Sequence, residues 1–278
     1  MYNPYFFNVA MLIYFVDFLC YLLFIVTKKQ ILGRFAFWVI LIGFFIHLTG
    51  LLIRWRESYL TGYGYIPLSN MYESLVFFSW AIVLVYLIVD TRYHQRTIGV
   101  IASPLAAIAI AVTSLVPGVK SDIAPLIPAL QSNWLAIHVI SCFLGYAAFA
   151  IAFGISIAYM IQSRRVSSLR VPISWLPPPR LLDEINYKAI VIGFPMLTLG
   201  IITGAVWASY AWGSYWSWDP KETWSLITWF IYAAFLHARY AHEWQGKKTA
   251  LLSIVGFCAV IFTYFGVNFL LSGLHSYL

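Results

Sequence analysis

Long apolar stretches dominate the chain and alternate with short polar segments. A transmembrane α-helix needs about 20 apolar residues, and eight stretches come close to or exceed that length: roughly 5–26, 35–53, 71–89, 98–116, 134–161, 189–209, 223–238 and 250–272. The seventh stretch is the shortest, and the fifth is long enough to project beyond a bilayer. The pattern predicts an all-α, polytopic membrane protein with about eight transmembrane helices in one bundle.

The charged residues predict how these spans are oriented. Only 10% of the residues are charged and 62% are hydrophobic, which excludes an ordinary soluble domain. Thirteen of the seventeen Lys and Arg lie in four segments that alternation of the spans puts on one side: 27–34, 91–97, 162–188 and 239–249. Basic loops stay in the cytoplasm, so both termini are predicted outside, and the net charge of +7 indicates topology, not nucleic-acid binding.

The segments between the spans predict one transmembrane domain, residues 1–278, without internal repeats. The inside segment 162–188 contains SSLRVPISWLPPPRLLDE, and its Pro run disfavours helix, so it is predicted to be a cytoplasmic connector. On the outside, the loops 54–75 and 116–134 contain Gly and Pro. We expect these two loops to form a cap over something held at that face.

The outer segment 210–223 is rich in Trp, and WGSYWSWDPKETW (residues 212–224) contains four of them. Trp belts form at membrane interfaces without any ligand, but they spread over many helices. Clustering in one loop therefore favours a rigid apolar platform for a large flat ligand over a belt. The rings expected to form it are those of Trp212, Trp216 and Trp218.

The same segment contains the signals of a helix start. Asp219 suits the N-cap, Pro220 the first helical position and Glu222 the third, which is the spacing of a capping box. Asp219 is therefore predicted to be structural rather than catalytic, and to fix where the seventh span begins.

Four His and one Asp lie at positions within or beside the predicted spans that suggest a function. His138, near the outer end of the fifth span, and His275, beyond the eighth, are predicted on the side of the Trp segment; two imidazoles can supply both axial ligands of a haem. His47 and His237 lie within or at the edge of spans, where an ionisable residue is a functional candidate. They are candidates for a second, transmembrane haem site, although their predicted depths differ and His47 has the alternative of a hydrogen bond within the bundle. Asp17, in the first span, is either a proton-relay group or the partner of a Tyr or His.

Several motifs resemble a known family. WGSYWSWDPKETW is similar to the signature of the WWD haem-handling membrane proteins, and RW…IPLSNMYESLVFFSW, PALQSNWLAIHV, TGAVWA and YFGVN…GLHSY narrow the resemblance to the CcsA (ResC) family of cytochrome c biogenesis. The resemblance implies a site for haem b under the Trp segment, with His138 and His275 as external iron ligands. It also implies that His237 ligates haem that crosses the membrane, whereas the complementary position is less securely matched by His47.

The resemblance further implies an activity and partners. The family acts with a second membrane subunit, CcsB (ResB), on apocytochrome c carrying CxxCH, and thioredoxin-like proteins nearby keep the substrate thiols reduced. The chain is accordingly interpreted as the CcsA subunit of a cytochrome c synthase, which delivers haem and attaches it covalently on the extracytoplasmic side. The membrane would be the bacterial cytoplasmic membrane or the plastid thylakoid, with the Trp segment outside or in the lumen.

On this interpretation the protein supplies position rather than a nucleophile, because two Cys thiols of the substrate add to the haem vinyl groups. The residues expected to hold the ring and its propionates are Trp212, Trp216, Trp218, Asp219, Lys221 and Trp224. Three alternatives stay open: a WWD protein that loads haem onto a chaperone, a haem exporter without attachment activity, and a non-haem or quinone-binding subunit.

Overall fold

A computed structural model of the chain describes residues 3–116, 119–167 and 173–271. Within these ranges the chain forms eight long α-helices and no β-strand, as the apolar pattern predicted. The helices are α1 (Asn3–Thr27), α2 (Gln30–Leu60), α3 (Met71–Tyr93), α4 (Gly99–Leu115), α5 (Asn133–Ser167), α6 (Pro179–Trp212), α7 (Pro220–Ala241) and α8 (Lys247–Ile261). A π-helical turn, Phe262–Gly266, continues α8 into a short last helix, α9 (Val267–Leu270).

Seven helical segments in the described part of the chain are long and apolar enough to cross a membrane. They are α1, α2, α3, α4 with the 3-10 turn that precedes it, α5, α6, and α8 continued through α9. The helix outside this set is α7, which corresponds to the shortest of the predicted spans and carries polar residues at both ends. The prediction of an all-α multi-pass membrane protein is confirmed.

α5 is the central helix of the bundle. It packs along α6 and also contacts α3, α4 and α8, while α1 packs on α2 and α4, and α7 on α6 and α8. The close approach of α5 to α6 depends on Gly145 and Gly193, because a Cβ on Gly145 would lie 3.0 Å from the Gly193 carbonyl oxygen. Small residues at such contacts let helix backbones approach closely where lipid offers no hydrophobic driving force.

Residues 162–167 and 179–188 of the predicted connector are helical and belong to the ends of α5 and α6. That the segment 162–188 is a cytoplasmic connector remains a prediction. Pro179 occupies the first turn of α6, where the missing N–H of a Pro has no intrahelical partner to lose. Gln162 of α5 holds the intervening chain, since its side chain accepts a hydrogen bond from the Ile173 amide at 2.9 Å and donates to the Ile173 carbonyl at 3.1 Å.

A buried ion pair joins the loops at the predicted outer end. Nη2 of Arg54 in α2 lies 2.9 Å from Oε1 of Glu73 in α3, and the two side chains are 1% and 0% exposed. Arg54 also donates to the Asn3 side chain and the Ser121 carbonyl, and Glu73 accepts from the backbone and hydroxyl of Ser69. The start of α1, the α2–α3 loop and the α4–α5 loop are thereby held together.

Candidate functional site

One end of the bundle opens into a cavity of about 1120 Å³, its open mouth included. Residues of α3, α5, α6, α7 and the α8–α9 end line it, and the alternation of the helices puts these ends on the predicted outer side. Its wall is mainly apolar with a few converging polar groups, as is usual for small-molecule and cofactor sites. The polar side chains on its wall include those of Ser74, His138, Trp216, Lys221, Tyr264 and Asn268.

His138 lies on α5 at the wall of this cavity. Its Nδ1 is 2.7 Å from the Gly200 carbonyl oxygen of α6. A carbonyl only accepts, so Nδ1 carries the hydrogen and Nε2 carries the lone pair. A hydrogen bond of this kind at one ring nitrogen is the usual way to orient a histidine whose other nitrogen binds a metal. The ring is also half-buried against Trp207, with centroids 6.0 Å apart and planes 19° apart.

Trp207 is a cavity residue that the sequence analysis did not single out. It is 1% exposed, and its Nε1 donates to the Ala129 carbonyl at 2.8 Å, which fixes the α4–α5 loop against α6. The motif TGAVWA contains this residue and contributed to the family resemblance. A Trp in an apolar helix nevertheless gives no sign in the sequence of whether it packs in the core or at a site.

The Trp residues of segment 210–223 do not share one plane. Trp216 lines the cavity, and its ring stands at 88° to that of Trp218, which is 68% exposed. Trp212 packs edge-on against Trp207, and Trp224 packs on the π-helical turn that follows α8. The structure therefore brings Trp216 to the cavity of His138, and the binding roles of the other three remain predictions.

Trp216 also brings a hydrogen-bond donor to the cavity. Its indole N–H is buried and has no hydrogen-bond partner among the described residues. A buried donor without a partner costs about 1–3 kcal/mol. This N–H is thus available to an acceptor on a ligand.

The capping box at the start of α7 is confirmed. The Asp219 carboxylate accepts from the Lys221 amide at 2.9 Å, and the Glu222 carboxylate accepts from the amides of Asp219 at 3.2 Å and Ser217 at 2.8 Å. Both carboxylates thus stabilise the turn before α7, and Asp219 is the N-cap as predicted, while its role towards a ligand remains a prediction. The cap follows directly on Trp218, whose φ of 59° lies in the left-handed region that a bulky residue rarely adopts.

Lys221 gives the cavity a cation. Its Nζ donates to the Asn268 side chain at 3.0 Å and lies 6.0 Å from the ring centroid of Tyr264. Neither of the two ion pairs found in the described ranges includes Lys221. Lys221 lies outside the seven candidate spans; burial lowers its pKa from 10.5 to about 8, and the nearby Asp219 carboxylate raises it. Below that pH the cavity carries a positive charge that suits a carboxylate.

The π-helical turn shapes the part of the wall beside Lys221. Tyr264 lies within the turn and Asn268 just after it, and both line the cavity. The Tyr264 hydroxyl is 2.6 Å from the Ser74 hydroxyl of α3, so the end of α8 is joined to α3 across the cavity. π-Helical turns are frequent at functional sites because they re-aim side chains within a helix.

The remaining predicted His lie elsewhere, and His275 falls outside the described residues. His47 is fully buried in α2, where its Nδ1 is 3.1 Å from the Tyr14 hydroxyl of α1. His237 is exposed near the last turn of α7, with its ring 5.5 Å from that of His242. α2 packs on α1 and α3, whereas α7 packs on α6 and α8, so the structure does not bring His47 and His237 together. Their roles as transmembrane haem ligands remain predictions.

Comparisons with known proteins agree on one family. Residues 68–275 match the family model of the cytochrome C assembly protein. The cytochrome c biogenesis protein CcsA of Microcystis aeruginosa is 44% identical over 271 residues, which cover 81% of each chain, and that of Mesostigma viride is 41% identical over 276 residues, which cover 91% of this chain and 89% of the relative.

A solved structure gives the same fold. The protein titled cytochrome c heme lyase CcmF superposes with a TM-score of 0.68 at 18% identity, over 94% of this chain and 46% of CcmF. The chain thus spans less than half of CcmF, and at this identity the likeness concerns the fold alone. With the family model and the two CcsA relatives in agreement, the chain belongs to the cytochrome c assembly protein family, together with the CcsA proteins.

Proposed function

We propose that the protein is the CcsA subunit of a cytochrome c synthase, which holds haem at the extracytoplasmic end of the bundle and attaches it to apocytochrome c. The observation that carries the proposal is the tautomer of His138, that is, which of its ring nitrogens carries the hydrogen. A carbonyl fixes its Nδ1 as the donor, so Nε2 is left for an iron at the wall of a large apolar cavity.

The residues of the cavity fit a haem as the bound substrate. The His138 imidazole would ligate the iron, and the apolar wall with Trp207 and Trp216 would hold the macrocycle. Lys221 would meet a propionate, and the Trp216 N–H offers a second polar contact. His275 is proposed as the second axial ligand; it follows the lining residue Asn268 by seven positions in the chain.

The reaction requires the protein mainly to position the haem relative to the thiols of the substrate. Haem supplies two vinyl groups, and each Cys thiol of the substrate adds to one of them, the sulfur to one carbon and the hydrogen to the other, so no oxidant is consumed. The thiols are the nucleophiles, and the residues of the cavity orient the ring and exclude water from its buried edge. Holding reactants in near-attack geometry can by itself supply a large part of a barrier, about 7–11 kcal/mol in favourable cases.

The orientation and the partners belong to the proposal. The excess of Lys and Arg in the loops at the opposite end supports an extracytoplasmic cavity in a bacterial cytoplasmic or thylakoid membrane. CcsB would be the second membrane subunit, apocytochrome c the second substrate, and thioredoxin-like proteins would keep its thiols reduced. His237, exposed near the inner end of α7, is proposed to ligate haem that enters from the cytoplasm.

The test is replacement of the axial ligand. His138→Gly, in the full chain coexpressed with CcsB, should reduce the haem that copurifies by at least about tenfold, since loss of even a ligand's supporting contacts costs 10–100-fold in metal affinity. Imidazole added to the preparation should restore the absorption, because it can occupy the space of the missing ring. His94→Ala, at an exposed His in the α3–α4 loop, serves as the control. Unchanged haem absorption in His138→Gly would reject His138 as the ligand and the proposal with it.

A reporter cytochrome with CxxCH separates attachment from the alternatives. Covalent haem on the reporter, formed with the chain and CcsB as the only maturation proteins, supports the synthase. Haem bound to the chain without any matured reporter would favour haem loading or export instead.

A further inference from the structure

A second set of buried polar groups lies among α1–α4, away from the cavity. It comprises residues that do not line the cavity and are at most 3% exposed: Tyr14, Asp17, Tyr21, His47, Tyr86 and Asp90. These side chains extend from Asp90, near the end of α3 at the predicted cytoplasmic side, to His47 in the middle part of α2. Ionisable side chains at such depth are rare and mark proton or ion pathways more often than structural contacts.

Hydrogen bonds and helix spacing connect these six residues, which together make up the polar file of α1–α4. The Tyr14 hydroxyl is 3.1 Å from His47 Nδ1, and the Tyr21 hydroxyl is 2.5 Å from the Tyr86 hydroxyl. Tyr14, Asp17 and Tyr21 follow one another at spacings of three and four on α1, so they share one face of that helix. Asp90 follows Tyr86 by four positions on α3, and its Oδ1 is buried without a hydrogen-bond partner in the described part of the chain.

Asp17 lies at the centre of the file and is its least satisfied group. Both of its carboxyl oxygens are buried, and neither makes a hydrogen bond within the described residues. Ser103 of α4 faces it, and the Ser103 hydroxyl donates to the Gly99 carbonyl at 2.6 Å, so that hydroxyl can only accept from Asp17. An unpaired buried carboxylate costs far more than a buried neutral acid. The surroundings of Asp17 therefore favour a carboxyl group that holds a proton.

The titratable groups around Asp17 come from each helix packed nearby. On α1 they are Tyr14, Cys20 and Tyr21, from α2 His47, and from α3 Tyr86 and Asp90; the cation Arg96, which precedes α4, acts on Tyr21 and Asp90. No cation of the described residues is paired with Asp17. A structural ion pair is thus not what retains this carboxyl group.

We propose that α1–α4 form a proton-conducting file in which Asp17 relays protons between Asp90 and His47. A proton taken up by Asp90, near the end of α3, moves along the hydroxyls of Tyr86 and Tyr21 to Asp17, and from Asp17 along the Tyr14 hydroxyl to Nδ1 of His47. Each hydroxyl or carboxyl group accepts a proton on one lone pair and releases the one it carried, so every group returns to its starting state and no oxidant or reductant is needed. At the far end His47 accepts the proton on Nδ1 and releases the one on Nε2, which has no partner among the described residues, toward the outer end of α2.

The proposal is independent of haem and is tested by proton flux. The full chain is reconstituted into liposomes that contain a trapped pH-sensitive dye, and a potassium diffusion potential drives protons inward. The wild-type chain should acidify the lumen faster than protein-free liposomes do. Asp17→Asn should slow that protein-dependent rate by at least about tenfold, as expected when a positioned proton donor is removed.

Asp122→Asn is the matched control, since it makes the same chemical change at an exposed residue of the α4–α5 loop, and it should keep the wild-type rate. Tyr86→Phe removes one hydroxyl of the file and should also slow the flux. A wild-type rate in Asp17→Asn, or a wild-type chain no faster than protein-free liposomes, overturns the proposal.

Infrared spectroscopy provides a readout that does not depend on flux. The difference spectrum between wild type and Asp17→Asn at neutral pH should contain the C=O band of a protonated carboxylic acid. Bands of an ionised carboxylate in that difference spectrum would contradict the proposal, since Asp17 would then hold no proton to relay.

Discussion

His138 and His47 lie in transmembrane helices of two different regions, and each has its Nδ1 within hydrogen-bonding distance of a neighbouring helix. The surroundings of the two rings differ. His138 lines a cavity, whereas His47 is 0% exposed, with the ring of Phe7 5.6 Å from its own. The partners differ too, because the carbonyl at His138 can only accept, while the Tyr14 hydroxyl at His47 can donate or accept.

A position deep in the membrane therefore does not by itself make a His a ligand. What matters is a partner that fixes the tautomer and an open space at the other ring nitrogen. His138 has such a partner in the Gly200 carbonyl and lines the cavity, whereas His47 is fully buried and does not line it. The first region contains a cavity that opens at one end of the bundle, whereas the second is closely packed around buried polar groups.

The largest expected effect is at the ion pair that both regions share. Glu73→Ala would leave the buried Arg54 charge unpaired and release Ser69 at the cavity rim, so we expect a loss of about 3–5 kcal/mol in the free energy of unfolding. Thermal unfolding in detergent measures it, with the exposed Glu243→Ala expected to change it by less than about 0.5 kcal/mol. A Glu73→Ala protein as stable as the control would mean that the pair does not join the two regions.

Two glycines distinguish the regions by their effect on haem. A Cβ at Gly204 would lie 2.6 Å from His138 Nδ1, so Gly204→Ala should displace the ring and lower copurifying haem by about tenfold, as loss of a ligand's support does. A Cβ at Gly43 would lie 2.8 Å from Ile13, so Gly43→Ala should cost about 1–3 kcal/mol of stability. The amount of haem per folded protein should stay unchanged in Gly43→Ala. If both variants lost haem, the two regions would not differ in their effect on haem binding.

A variant of Lys221 tests whether the cavity binds a ligand through a carboxylate. Lys221→Met should weaken haem binding by about 1.5–3 kcal/mol, the range for hydrogen bonds to charged groups. The Lys221 charge is present below its pKa of about 8 and lost above it, so wild-type affinity should fall as pH rises through 8, and the variant should lack that fall. Titration with haem and with its dimethyl ester measures this, since the ester should bind both proteins equally; a wild-type preference for the ester would contradict the assignment.

The smallest expected effect concerns the indole N–H of Trp216. Trp216→Phe keeps an aromatic ring and removes the donor, so haem affinity should fall by about 0.5–1.5 kcal/mol, the value of one hydrogen bond. Trp218→Phe, at an exposed ring outside the cavity wall, is the control and should bind haem as wild type does. If Trp218→Phe weakened haem binding and Trp216→Phe did not, haem would bind at the exposed part of the Trp segment rather than in the cavity.

Local features of this protein could be predicted from the sequence because local chemistry decides them. The apolar spans follow from the length that a helix needs to cross a bilayer, and the start of α7 follows from the hydrogen bonds that Asp219 and Glu222 make with backbone within a few residues. The side of the membrane on which His138 lies is predicted from the alternation of the spans and from the basic loops, and it remains a prediction. The Pro run of the connector ends at Pro179, where α6 begins, because a Pro is favourable in the first turn of a helix.

Contacts between distant segments could not be predicted in this way. Nothing near Trp207 in the sequence indicates that its N–H would bond to Ala129, 78 positions earlier, or that its ring would pack on His138. The pairing of Arg54 with Glu73 and the angles between the Trp rings likewise depend on how whole helices pack.

The sequence by itself determined a multi-pass helical membrane protein, the place of the helix cap before α7 and the family to which the chain belongs. The tertiary structure decided which His faces open space, because only the packing of α5 against α6 places the Gly200 carbonyl at His138 Nδ1. The physical reason is that helix formation and capping are satisfied within a few residues, whereas a cavity and the tautomer of a buried ring depend on atoms brought together from several helices.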